Sequence, residues 1–80
     1  MRLDKWLKTS RLIKRRTVAQ EACEGGCVSV NGRTAKPSAA VKEGDTVEIT
    51  LGTRTIRVEI LSVEENVRKD DAAAMYRELR

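Results

Sequence analysis

The chain has 80 residues, enough for one domain with a modest core. At 35% charged and 40% apolar it reads as soluble and globular rather than disordered. Histidine is absent, so the commonest general base and the commonest metal ligand are missing.

The formal net charge is +4, but it is not evenly spread. Residues 1–16 hold seven bases (Arg2, Lys5, Lys8, Arg11, Lys14, Arg15, Arg16) and one acid, Asp4, for +6. Residues 17–80 therefore sum to 4 − 6 = −2. A positive charge concentrated at one end of a folded domain points to a polyanionic partner.

The spacing predicts a first helix over 2–8. Leu3, Trp6 and Leu7 share one face, and Arg2, Lys5 and Lys8 the other, with Asp4 near its edge. Residues 9–13 read as a turn or a brief continuation of the helix, in which Leu12 and Ile13 are expected to be buried. Thr17 with Gln20 has a capping-box pattern and starts a second helix from Val18 to Glu24. Its apolar face is Val18, Ala19, Ala22 and Cys23, with Glu21 and Glu24 toward solvent. Gly25-Gly26 stops it.

The period then changes from helical to two. Val28-Ser29-Val30, Asn31-Gly32 and Arg33–Ala35 predict a hairpin with a type I′ turn, ended by Pro37. Residues 38–43 read as a connector and Gly44-Asp45 as a turn. Strands over 46–51 and 54–61 place Val47, Ile49, Leu51, Ile56, Val58 and Ile60 inward. Asp70 or Asp71 can cap a last helix through Leu79, with Met75 and Leu79 positioned to dock on the body. The organisation expected is a binding domain over 1–64 and a C-terminal extension with a short helix over 65–80.

Catalysis finds no support. Thr9, Ser10 and Thr17 have no histidine to activate them, the carboxylates are scattered, and no phosphate loop is present. Cys23 and Cys27 cannot fill a four-ligand zinc site without histidine, and a reducing cytosol disfavours their disulfide. No segment is long and apolar enough for a bilayer, so a cytoplasmic protein without cofactor or metal is expected. Only Trp6 and Tyr76 are aromatic, which disfavours base stacking on a sheet.

The candidate nucleic-acid contacts are therefore the bases of residues 1–16, arginines above lysines because guanidinium binds phosphate in a bidentate manner. The rival reading is a solvated face tuned for solubility. Arg33 and Lys36 beside the hairpin extend the surface or are merely solvated. Asp4 either pairs with a nearby base such as Lys8 at i+4 or accepts a hydrogen bond from RNA. Trp6 reads as core.

Several residues together resemble the S4-type RNA-binding domain, or alpha-L motif. They are RLDKWL at 2–7, Ser10-Arg11, Thr17 with Ala19, GGCVSVNG at 25–32, Lys36-Pro37 and Gly44-Asp45. The resemblance implies an α+β fold: two N-terminal helices packed on a small, mostly antiparallel sheet, plus a short C-terminal helix. It puts Arg2, Asp4 and Arg16 at RNA-facing positions. Where that family often has a basic or polar residue before the first strand, this chain has Cys27. The chain looks like the free-standing members, the ribosome-associated heat-shock type and, more closely, the RqcP type. That likeness implies binding to stalled large ribosomal subunits, contact with rRNA and peptidyl-tRNA, and support of alanine tailing with an RqcH-like factor, as a monomer off the ribosome. A recycling factor for obstructed subunits, and a protein adaptor with a basic face, are the alternatives.

Overall fold

The computed structural model describes residues 1–79. Two helices, α1 (Leu3–Thr9) and α2 (Arg16–Glu24), precede strands β1 (Val28–Val30), β2 (Arg33–Thr34), β3 (Thr46–Leu51) and β4 (Arg54–Ile60). A short 3-10 helix (Lys69–Met75) leads into β5 (Tyr76–Leu79). The five strands form one sheet in the order β2-β1-β3-β4-β5, every neighbouring pair antiparallel. The expected α+β arrangement, helices against a small antiparallel sheet, is present.

The core sits between α1, α2 and the sheet. Leu3, Trp6 and Leu7 from α1 and Ala19 and Cys23 from α2 meet Val28, Val47, Ile49, Val58 and Ile60. Trp6 is completely buried, and its indole Nε1 donates to the Ser62 carbonyl at 2.9 Å, so its polar edge is satisfied inside the core. The α1 phasing read from the sequence holds: one stripe buries, while Arg2 and Lys8 stay exposed.

Helix α2 starts earlier than the capping pattern suggests. Its first residue is Arg16, Arg15 stands at the N-cap, and no side chain caps it. Gln20 is drawn elsewhere, to Asp4. With Ala19 and Cys23 setting the buried stripe, Val18 is rotated off it and lies 43% exposed. The glycine stop holds in detail. Gly26 has φ +77, its N–H donates to the Cys23 carbonyl, and the Cys27 N–H donates to that of Ala22. This is a Schellman closure.

The hairpin turn is as expected, with Asn31 and Gly32 both at positive φ. Asn31 does more than turn. Its side chain accepts from the Thr46 N–H (2.9 Å) and donates to Asp45 (3.1 Å), tying the β1–β2 turn to the start of β3.

Three further expectations need correction. Leu51 lies beyond the helices at the β3–β4 tip and is 44% exposed instead of inward. The stretch 38–43 is no free connector. Leu3 N–H donates to Ala39, Asp4 N–H to Pro37 and Val41 N–H to Met1, and Arg2 bridges Ala40, so residues 37–41 clamp the start of the chain. The last helix is 3-10 and ends at Met75, and Tyr76–Leu79 is a strand on the free edge of β4, Tyr76 opposite Ile60. Ala, Met and Leu favour helix by only a few tenths of a kcal/mol per residue, and an open sheet edge outweighs that. Met75 does dock: it is buried.

Candidate nucleic-acid interface

The basic end divides into two groups with different surroundings. The first is built around Asp4. Its carboxylate is fully buried, yet every bond it makes is to a donor. Arg2 reaches it through Nε and Nη2, both at 3.2 Å. Gln20 Nε2 donates at 3.0 Å, the Lys5 N–H at 2.8 Å, and Arg16 Nε lies 3.5 Å away. Burial pushes the Asp4 carboxyl pKa up, but the hydrogen bonds from Gln20, Lys5 and Arg2 and the charge of Arg16 outweigh it. The net pKa is below 3.8, the ordinary value. Arg2 and Arg16, fourteen positions apart in sequence, are thereby held side by side with roughly half of each side chain exposed (51% and 44%). Each guanidinium has five N–H donors, so anchoring one or two leaves the rest to point outward.

Asp4 is thus not paired with Lys8, and its two oxygens are engaged inward. Gln20 is the member of this group that sequence reasoning missed. Sixteen residues separate it from Asp4, and no local rule links them.

The second group surrounds a small polar cavity of about 150 Å³, lined by Lys8, Thr9, Arg11, Lys14, Glu65 and Val67. Arg11 closes α1: it is the left-handed residue after the C-cap, with φ +63, and its N–H donates to the Lys8 carbonyl. Lys5 stands at the margin of this group, its ammonium engaged by an ion pair with the lining carboxylate of Glu65 at 2.8 Å. That contact lowers the Glu65 pKa. Glu65 was also missed, because its partner is 60 residues away.

Arg15 flanks the Asp4 group at the mouth of α2. Lys36 joins Arg2 along a groove of about 690 Å³ between α2 and residues 34–38. Arg33 is exposed on the edge strand β2 and lines neither cavity. Among the described residues, no three His, Cys, Asp or Glu side chains gather as a metal site, and no helix is long and apolar enough to cross a membrane.

Residues 1–47, which contain α1, α2 and the β1–β2 hairpin, match the family described as the S4 domain. The chain belongs to the S4 domain family. Among S4 relatives, the RQC P-site tRNA stabilizing factor of Halalkalibacterium halodurans is 55% identical over 76 residues, covering 95% of this chain and 86% of that protein. The factor of the same name from Bacillus subtilis is 46% identical, covering 95% and 88%. The solved structure of heat shock protein 15 from Vibrio cholerae, described as trimeric, superposes with a TM-score of 0.91 at 36% identity, over 99% of this chain and 81% of that one. The likeness to that structure runs past the matched segment: the superposition covers the sheet through β4 and β5.

Proposed function

We propose that this chain is a non-enzymatic, RNA-binding factor of ribosome-associated quality control. It binds stalled large ribosomal subunits in the cytoplasm, contacts rRNA and peptidyl-tRNA, and supports C-terminal alanine tailing with an RqcH-like factor. The observation that carries this reading is the Asp4-anchored pair of Arg2 and Arg16. A buried carboxylate fixes two half-exposed guanidiniums, which is the geometry for bidentate phosphate contact without loss of side-chain entropy on binding. The relatives called P-site tRNA stabilizing factors, matched over nearly their whole length, support the choice of RNA.

In this reading Arg2, Arg15 and Arg16 make defined phosphate contacts. Lys8, Arg11 and Lys14 hold a second stretch of backbone, Lys5, Arg33 and Lys36 extend the field, and Asp4 serves as the organiser. The protein works as a monomer off the ribosome.

Arg16→Glu places a negative charge beside Asp4 and the phosphates. It is expected to abolish co-sedimentation with large subunits; because Arg16 also lies against the buried Asp4 carboxylate, folding is checked by circular dichroism, and Arg16→Gln, which removes the cation without adding a charge, should weaken co-sedimentation in a folded protein. Retained co-sedimentation would sink the proposal. A second reading, a recycling factor for obstructed subunits, is favoured by the superposition on heat shock protein 15. A reconstituted tailing reaction, run with and without this protein, separates the two: alanine addition rises with the protein present under the first reading and is unchanged under the second.

A further inference from the structure

The groove between α2 and residues 34–38 is wide and is not explained by phosphate contacts alone. At about 690 Å³ it falls within the roughly 300–1,000 Å³ range of clefts that enclose a small ligand. Arg2 and Lys36 supply cations along it. Between them α2 contributes Gln20, Cys23 and Glu24, and the opposite side is Ala35, Pro37 and Ser38. An exposed carboxylate inside a basic surface is out of place if only phosphates are to be met, because it repels them. It suits a ligand that brings hydrogen-bond donors.

We propose that this groove receives an unstacked guanine of a single-stranded or looped RNA segment, with Glu24 reading its Watson–Crick edge and Arg2 and Lys36 holding the flanking phosphates. The proposal rests on the RNA-binding reading and deepens it.

Of the four RNA bases, guanine alone presents two adjacent donors, N1–H and the N2 amino group, matching the two oxygens of one carboxylate. Adenine and cytosine offer one amino group beside an acceptor, and uracil one N–H between two acceptors. A carboxylate facing those edges meets repulsion as well as attraction. Gln20 spends its amide N–H on Asp4, so its carbonyl oxygen is left to accept. Pro37 and Ala35 supply apolar surface for the base face. Cys23 keeps the inner wall uncharged, because burial, with help from Asp4 and Glu24, pushes its thiol up to about 11.

The test uses the ¹⁵N-labelled full chain and two five-residue RNAs, UUGUU and UUAUU, followed by NMR and fluorescence anisotropy. UUGUU is expected to bind about tenfold more tightly, the discrimination of one bidentate base contact, and to shift the amides of Gln20, Glu24, Ala35 and Ser38. In Glu24→Gln, which keeps the shape but replaces one acceptor by a donor, the preference for UUGUU disappears. Equal affinity in the unaltered protein, or shifts confined to Arg11 and Lys14, overturns the proposal. The two readings fail separately. Loss of guanine preference with co-sedimentation still dependent on Arg16 removes the groove assignment alone. Guanine preference with Arg16-independent co-sedimentation supports the groove and removes the quality-control reading.

Discussion

Asp4 is the residue on which the basic end turns. Its value is in position: a carboxylate removed from water, surrounded by donors, and unable to relax without releasing two arginines. Asp4→Asn retains the shape but presents an amide N–H to groups that already donate. The expected loss is about 1–3 kcal/mol, which for a domain of this size lowers the midpoint of thermal unfolding by about 5–20 °C. The loss also depends on pH. The folded-state pKa lies below the unfolded value, so the charge contribution is complete above about pH 4 and drains away as pH falls through the folded pKa. Melting curves of both proteins from pH 7 to pH 3 should therefore be well separated at neutrality and draw closer below about pH 4. A constant gap would show that the carboxylate charge is not what matters. The sequence offered two partners for Asp4, a neighbouring base or RNA. The acid itself was legible because it interrupts a basic stripe. Arg16 and Gln20 as its partners were not, because they meet it only after α1 and α2 have packed.

At the scale of the element, α1 ends on a conflict. The position after its C-cap needs a left-handed backbone, and glycine is the residue that adopts this without strain. Helix α2 places Gly26 there; α1 places Arg11. The left-handed conformation costs a non-glycine residue about 1–2 kcal/mol. Arg11→Gly should thus stabilise the fold by about 1 kcal/mol, the strain relieved less the extra freedom glycine gives the unfolded chain. The same change removes a cation from the Lys8 and Lys14 group, so large-subunit affinity is expected to fall. Denaturant unfolding and co-sedimentation on one preparation check both directions. A variant that loses stability would mean Arg11 is held by contacts worth more than its strain. Elements whose signals are local were legible in this chain: the Asn31-Gly32 turn, the Gly25-Gly26 stop, and β3 with its full span of 46–51. β5 was not, because KDDAAAMYREL carries a helical composition and its strand exists only through the edge of β4.

For the molecule as a whole, charge and fold divide the work. Charge draws the protein to RNA at long range, and the fold determines which cations reach phosphates together. With about six phosphates neutralised, log affinity for large subunits should fall against log salt with a slope of about −4 to −5. Measured from low to moderate salt, a flat response would contradict an electrostatic interface, whereas loss of Arg2 or Arg16 alone should flatten it by about one. The uneven charge, +6 against −2, was readable from composition, and with it the class of partner. The division of that charge into an Asp4-anchored pair, a Lys8–Arg11–Lys14 group and a Lys5 held by Glu65 was not, since each arises from segments far apart in sequence.

The clamp of residues 37–41 on residues 1–4 bears on the order in which the molecule is completed during its own synthesis. The basic end leaves the ribosome before its partners, and it cannot hold its shape then. Arg2 needs the backbone of Ala40, α1 needs Pro37 and Ala39, and Trp6 needs the carbonyl of Ser62. At about 5–20 residues per second, several seconds separate the emergence of Arg2 from that of its last partner. Through that interval the nascent segment has the charge of an RNA binder without its geometry, so a selective grip on RNA arises only once residues 37–62 have followed.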